Sequence, residues 1–161
     1  MRKDHSPLTL DATDKTLLRN LQLDGRLTNA KLAEKAAVSE TACWRRLRRL
    51  EEEGYISGYE ARVDRRMLGY GVYAFVQLHV SSHSEEATLA FERTIIACPE
   101  VLSCHNVTGQ ADFLLQVVAT DLDAYGRFVD RVLRKIPMIV SIQSSLSLRE
   151  LKNTAQLPIL A

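Results

Sequence analysis

With 161 residues, 25% of them charged and 46% hydrophobic, the chain can bury one substantial core or two small ones. Its 21 Lys and Arg nearly balance 20 Asp and Glu, which excludes a global positive field, so any attraction to a polyanion has to come from a local cluster. Cys43, Cys98 and Cys104 match no zinc or thiol-redox spacing, MRKDHSPLTL lacks the apolar core of a secretion signal, and no stretch approaches the roughly 20 apolar residues of a membrane span, so a cytoplasmic protein with no membrane partner is expected.

Residues 11–23 read as a first helix, with Asp11 as N-cap, Asp14 in the first turn, Leu17, Leu18 and Leu21 at helical spacing, and a stop at Asp24-Gly25. A second, short helix fits 28–36, capped by Thr28, with Leu32, Ala33 and Ala36 facing inward. Ala37-Val38 then turn into Ser39, the N-cap of a third helix that ends at Gly54. On that helix Cys43, Leu47 and Leu50 form an inward stripe, and Arg45, Arg46, Arg48 and Arg49 fall largely outside it. Glu51, Glu52 and Glu53 follow. They can pair with arginines one turn away, but three glutamates near a helix C-terminus oppose its dipole, so local helix stability does not account for the order of charges. The turn between the second and third helices gives the tri-helical geometry whose last helix enters a DNA major groove. Residues 8–54 are therefore expected to be a helix-turn-helix domain, winged-helix-like, with double-stranded DNA as partner.

Beyond Gly54 the periodicity changes. YISGYEARV, residues 55–63, reads as strand-forming, within a strand-containing linker at 55–71. Residues 72–81 alternate, with Val72, Ala74, Val76, Leu78 and Val80 on one face and Tyr73, Phe75, Gln77 and His79 on the other. A helix at 84–97 turns Ala87, Ala90, Phe91, Thr94, Ile95 and Cys98 inward. Strands at 101–108 and 112–120 are joined by a turn at Gly109-Gln110. A helix at 121–136 buries Leu122, Tyr125, Val129, Val132, Leu133 and Ile136, stops at Pro137, and precedes a strand near 139–149. The order βαββαβ is the split unit of ferredoxin-like folds, so the chain is α+β, with a ferredoxin-like domain at 72–161. One face of such a sheet carries no helices. Tyr73, Phe75, Leu114 and Val118 lie there with Gln77, His79 and Gln116, and the expected cover is a second copy of the chain, giving a homodimer.

Thr41, Arg45 and Arg48 share one stripe of the third helix and are the base-reading candidates. Ala42 and Trp44 lie beside them at the groove wall, Trp44 being equally suited to the core. Arg46 and Arg49 serve phosphates or the acidic residues that follow them. The N–H groups around Thr28 and Asn29, and the cap at Ser39, complete the expected DNA-facing set. A dimer then requires an imperfectly palindromic operator with half-sites about 34 Å apart or a multiple of that.

The turn Thr108-Gly109-Gln110-Ala111-Asp112 has the makings of an amino-acid site: Gly109 permits close backbone approach, exposed N–H groups suit a carboxylate, and Asp112 suits an ammonium. Gly and Asp are also ordinary hairpin residues. No extra charged group is evident nearby, which favours an apolar or sulfur-containing amino acid. His5, His79, His83 and His105 make no metal-ligand spacing, and no nucleophile, base and orienting acid fall into place, so neither enzyme activity nor a cofactor is expected.

LQLDGRLTNAKLAEKAAVSETACWRRLRRLEEEGYISGYEARVD, followed by Leu68-Gly69, resembles the N-terminal half of the Lrp/AsnC, or feast/famine, transcriptional regulators. Pro99-Glu100-Val101, Val107 through Asp112 and Leu157-Pro158 resemble that family's effector-binding and oligomerisation domain, so the likeness runs over nearly all of 8–160. It implies a bacterial or archaeal regulator that binds DNA as dimers, which assemble into larger rings, commonly octamers, and a small molecule, often an amino acid, bound near dimer–dimer contacts. By the same resemblance Ser144 and Ser145 lie beside the ligand turn, contributed across a subunit contact. Gln110 stands where the family often has a second acidic residue and Met138 where a glycine usually follows the proline, and both departures bear on effector identity. Two other readings remain open at this point: a sequence-tolerant architectural protein that wraps DNA, and a catalytic relative such as the sirohaem decarboxylases.

Overall fold

The computed structural model describes residues 10–81 and 84–159, so His5 and His83 lie outside the described residues. The chain forms two compact units, one running through Arg62 and taking in the tail from Asn153, the other Val63–Lys152.

The first unit holds α1 (Ala12–Leu23), α2 (Asn29–Lys35) and α3 (Glu40–Glu52). Each starts where a side-chain oxygen can replace the missing intrahelical acceptor. Asp11, Thr28 and Ser39 accept from the amides of Asp14, Lys31 and Ala42, and Asp14 returns the bond to the Asp11 amide, closing a capping box. Leu17, Leu32, Ala33 and Cys43 make the core, flanked by Leu21, Leu27, Ala36, Val38 and Leu47. α2 closes with paired bonds from the Val38 amide to the Ala33 carbonyl and from the Ala37 amide to the Glu34 carbonyl. That motif needs a left-handed residue, and Ala37 occupies the position at φ 53° where glycine is the usual choice. After α3 the left-handed residue is Gly54, as its position implied.

Residues 55–63, expected as a strand, form none, and no strand occurs between α3 and β1. A strand exists only against a hydrogen-bonding neighbour strand, and this segment has none among the described residues. Its fixed points are the Ile56 amide, which donates to the Leu50 carbonyl at 3.1 Å, and two side chains: Tyr59 donates its hydroxyl to Glu51 at 2.9 Å, and Arg62 donates to the Asn153 carbonyl at 2.6 Å. The tail from Asn153, which the sequence pattern assigns to the second domain, folds onto α1 instead. Gln22 bonds both the amide and the carbonyl of Leu157, and Arg19 donates to the Ile159 carbonyl, so side chains of α1 satisfy a segment that has no periodicity of its own.

The second unit runs β1 (Val72–Val80), α4 (Glu85–Ile96), β2 (Val101–Asn106), β3 (Phe113–Ala119), α5 (Leu122–Arg131), a 3-10 turn (Leu133–Lys135) and β4 (Ile139–Leu146). The sheet order β2-β3-β1-β4, antiparallel throughout, is that of the ferredoxin-like fold. Ala74, Val76 and Leu78 of β1 with Phe113, Leu115 and Val117 of β3 face Phe91 and Ile95 of α4 and Tyr125 and Phe128 of α5 in one core. Three inward assignments fail. Leu122 is exposed at the first position of α5, where Tyr125, Phe128 and Val132 set the inward stripe, and the chain tightens to a 3-10 turn before Leu133 and Ile136 are buried. Ala90 and Thr94 are exposed because Ala87, Phe91 and Ile95 already fill the narrower apolar face of α4. On the helix-free face Tyr73 donates to Gln116 at 2.9 Å, meets Phe75 edge-on at 5.5 Å between ring centres, and lies under the Arg65 guanidinium.

Ala37→Gly removes the left-handed Cβ penalty at the cost of chain entropy, for a net gain of about 0.5–1 kcal/mol. A higher urea midpoint for the helical unit is the expected outcome, and an unchanged or lower one contradicts strain at this turn. Desolvation of the Tyr59 phenol, aided by the Glu51 carboxylate, pushes it up to about 12 from 10.0. The folded state thus keeps this proton longer than the unfolded state, so the associated stability is complete below about pH 10 and drains away as pH climbs toward 12. Alkaline absorbance titration of the protein against Tyr59→Phe should show the missing phenol ionising near the upper value. A step at the ordinary tyrosine value means the Glu51 contact does not form.

Candidate nucleic-acid interface and ligand-binding turn

α3 is amphipathic with a hard edge. Cys43 and Leu50 are fully buried, while Thr41, Trp44, Arg45 and Arg48 are exposed on the opposite side. Trp44, 54% exposed, belongs to the surface and not to the core. The Arg48 guanidinium lies 5.5 Å from its ring centre and donates from Nε to Glu52 at 2.7 Å, one helical turn on. Arg45 makes no ion pair among the described residues. Ala42 is half-buried beside this group.

The other two arginines turn the opposite way. Arg46 Nη1 meets Asp11 at 2.6 Å and Asp14 at 2.8 Å, and Arg49 Nη2 meets the second oxygen of Asp14 at 2.6 Å. Of the glutamates expected as their partners, only Glu53 approaches, at 3.9 Å from Arg49. The principal partners are thus the carboxylates of α1's N-cap and first turn. Asp14 is 1% exposed, and its two oxygens are divided between the two guanidiniums. The Asp14 amide, then Arg46, hold the Asp11 carboxyl below the ordinary carboxylate range. The spacing carried the signal: Asp11 and Asp14 are three apart at the start of one helix, as are Arg46 and Arg49 on another, and a reading of Asp11 as a cap and Asp14 as a first-turn acid missed it.

Thr28 and Ser39 are exposed caps. Asn29 uses its amide to donate to the Glu40 carbonyl at 2.9 Å, so its side chain pins the start of α3. The tri-helical unit therefore presents a rigid third helix with one exposed, cationic and aromatic stripe, dimensions that suit a major groove.

In the second unit the turn of residues 108–112 caps the end of β1. The Asp112 carboxylate accepts from the Val80 amide at 2.9 Å, its amide donates to the Leu78 carbonyl at 3.0 Å, and its carbonyl accepts from Val107 and Asn106, each at 3.0 Å. Gly109 has φ 116°, a conformation closed to ordinary side chains, and Thr108, Gly109 and Gln110 are exposed. Within one chain Ser144 and Ser145 are not at this turn. They pair with Val76 and Phe75 along β4, whereas Asp112 binds Leu78 and Val80 from the other flank of β1. Ser144 is taken up on the helix-bearing side, where it accepts from the Tyr125 hydroxyl, and burial raises that phenol above its usual range. Alternation puts Ser145 on the helix-free side with Phe75.

Burial raises the thiols of Cys43, Cys98 and Cys104 above their usual range, the reverse of what an activated thiolate needs. No group of three or more metal-capable side chains comes together among the described residues, and no helix among them is long and apolar enough to cross a membrane.

Comparison with known proteins agrees with both halves of this geometry. Residues 10–57 match a family of winged helix-turn-helix DNA-binding domains and residues 73–157 the Lrp/AsnC ligand binding domain. The chain is 41% identical over 140 residues to the Bkd operon transcriptional regulator of Pseudomonas aeruginosa, covering 87% of this chain and 92% of that protein. It is 38% identical over 150 residues to the leucine-responsive regulatory protein of Rhizobium meliloti, covering 93% and 96%. Among solved structures, a transcriptional regulator of Neisseria meningitidis in complex with L-Met superposes with a TM-score of 0.89 at 39% identity, covering 93% of this chain and 97% of that one. An AsnC family regulator from Agrobacterium tumefaciens gives 0.88 at 36%, covering 92% and 97%. With a DNA-binding domain and a ligand-binding domain each matched in its own unit, this chain belongs to the Lrp/AsnC family of transcriptional regulators.

Proposed function

We propose that the protein is a cytoplasmic regulator, without catalytic activity of its own, which reads operator DNA through Thr41, Arg45 and Arg48 and whose DNA binding or assembly is tuned by an amino acid at the turn of residues 108–112. The observation that carries the first half is the division of α3's arginines. Arg45 and Arg48 stand exposed beside Trp44, while Arg46 and Arg49 are bound to α1. Arg45 is the base reader of greatest weight because no carboxylate competes for it among the described residues. Trp44 and Ala42 line the groove wall, and the amides at the starts of α2 and α3, near Thr28, Asn29 and Ser39, meet phosphate.

The helix-free face of the sheet, with Tyr73, Phe75 and Gln77, pairs with a second copy to form a dimer, and dimers assemble further, to an octamer in this reading. The ligand half is supported by the L-Met complex of the Neisseria meningitidis regulator and by the exposed left-handed turn at Gly109. Asp112 accepts the ammonium, the amides of Thr108 to Gln110 hold the carboxylate, and Ser144 and Ser145 of a neighbouring subunit complete the site. An apolar or sulfur-containing side chain suits a turn with no further charge.

Arg45→Ala should weaken binding to a selected operator by about 1–3 kcal/mol, roughly 5- to 150-fold, and binding to scrambled DNA much less. Equal losses on both would make Arg45 a phosphate contact and remove it from the base readers. Asp112→Asn keeps an acceptor for the Val80 amide but discards the charge, and should weaken L-methionine about tenfold or more in calorimetric titration. Unchanged affinity rules out the ammonium role.

A further inference from the structure

The Asp14 clamp goes beyond this reading, although it rests on Arg45 and Arg48 being the groove-facing pair. We propose that Asp14 is a positioning residue for DNA recognition: by engaging Arg46 and Arg49 it keeps two of α3's four arginines off the phosphate backbone and so preserves discrimination between operator and other DNA.

The four arginines form two pairs, Arg45 with Arg48 and Arg46 with Arg49, each three residues apart and rotated from the other by about 100° around α3. Both pairs are on the same turns, so a guanidinium released from Asp14 has its long side chain available for a phosphate at the groove edge. Release is feasible sterically. The Arg46 and Arg49 side chains are 28% and 43% exposed, whereas the carboxylate that holds them is 1% exposed. The anchor is buried and the anchored groups reach solvent.

The consequence for DNA follows from how the two kinds of binding are built. Binding to arbitrary sequence is almost wholly phosphate neutralisation, and each neutralised phosphate adds about 0.9 to the slope of log affinity against log salt. Base contacts add on top of that for the operator alone. With a formal net charge of only +1, the protein has no general positive field, so two extra free arginines per protomer would be a large relative gain for any duplex. On the operator, base contacts of Arg45 and Arg48 fix one register of α3, in which Arg46 and Arg49 point toward α1. Arbitrary DNA imposes no register and lets any free guanidinium take a phosphate, so neutralising these two inside the protomer lowers affinity for arbitrary DNA more than for the operator. Asp11, 51% exposed, supports the same arrangement by taking the outer side of Arg46.

The test uses the full-length protein and fluorescence anisotropy over a series of salt concentrations. The probes are a duplex selected by the unaltered protein from a random-sequence pool and a scrambled duplex of the same composition. Asp14→Asn should bind the scrambled duplex several-fold more tightly, with a slope steeper by about 1–2 per protomer, and the ratio of selected to scrambled affinity should fall. Replacing Arg46 and Arg49 with Gln in the Asp14→Asn background should return the slope to its original value, which a merely structural role for Asp14 would not produce. An unchanged slope in folded Asp14→Asn, or a steepened slope that survives removal of both arginines, overturns the proposal. If Asp14→Asn does not fold, Asp11→Asn serves, since Asn is as good an N-cap. It should shift slope and scrambled-duplex affinity in the same direction by a smaller amount, and no shift overturns the proposal equally. Should Arg45→Ala leave discrimination intact, the base-reading assignment fails, while the slope comparison still reports on Asp14.

Discussion

A carboxylate that is 1% exposed inside a three-helix unit is stable only if positive charge meets it, and Arg46 at 2.8 Å and Arg49 at 2.6 Å do so with one oxygen each. Among the described residues Asp14 is the one buried polar or charged side chain, so this is where the small core gives up apolar packing for direction. Apolar contacts along Cys43 and Leu47 would tolerate some rotation of α3 about its axis. Two ion pairs three residues apart, each aimed at a different oxygen, do not. The rotation they set carries Thr41, Arg45 and Arg48 outward, so the exposed stripe is defined from the buried side of the helix.

The second unit achieves the same end without charge. Its sheet alternates strictly, so that once Ala74, Val76 and Leu78 are committed to the helices, Tyr73, Phe75 and Gln77 must face the other way. That face is neither fully polar nor sealed. Val118 is buried, Phe75 is exposed, and Tyr73 and Gln116 satisfy each other by a hydrogen bond that leaves aromatic surface available. A surface with this mixture suits pairing between folded subunits better than it suits bulk water.

Periodicity made most of this fold legible in the sequence, because amphipathic stripes and strand alternation are local consequences of burial. α1, α2 and α3 were readable from Asp11, Thr28 and Ser39 with the leucines behind them, and βαββαβ from the alternation at 72–81 and the stripes around Phe91 and Tyr125. What was not legible depended on partners distant in sequence. Asp14 pairs with residues 32 and 35 positions away. The Leu157 backbone finds Gln22 at a separation of 135, with no pattern to announce it. The segment at 55–63 has strand-like composition, but composition cannot supply the neighbour a strand requires. Leu122 misled because a helical stripe says nothing of where the helix starts. At the candidate sites residue types were readable and commitments were not: the sequence shows four arginines, and only the fold divides them into two exposed and two clamped.

The turn of residues 108–112 raises a related question of commitment. Asp112 already spends its carboxylate on the Val80 amide and its backbone on Leu78, Val107 and Asn106, so it is a structural part of the sheet's end. An ammonium drawn to that carboxylate would share it with the end of β1, and ligand charge would then be felt by the strand whose residues Phe75 and Val76 register Ser145 and Ser144 of β4. A ligand shifts assembly only as far as it binds one state better than another, typically by about 1–3 kcal/mol. A carboxylate that accepts from a strand amide is a suitable place for a difference of that size, because a ligand donor competing for it changes the charge left for that bond. Gly109 makes the arrangement possible. At φ 116° it turns the chain so that Asp112 re-enters the sheet, and no residue with a side chain holds that angle without strain.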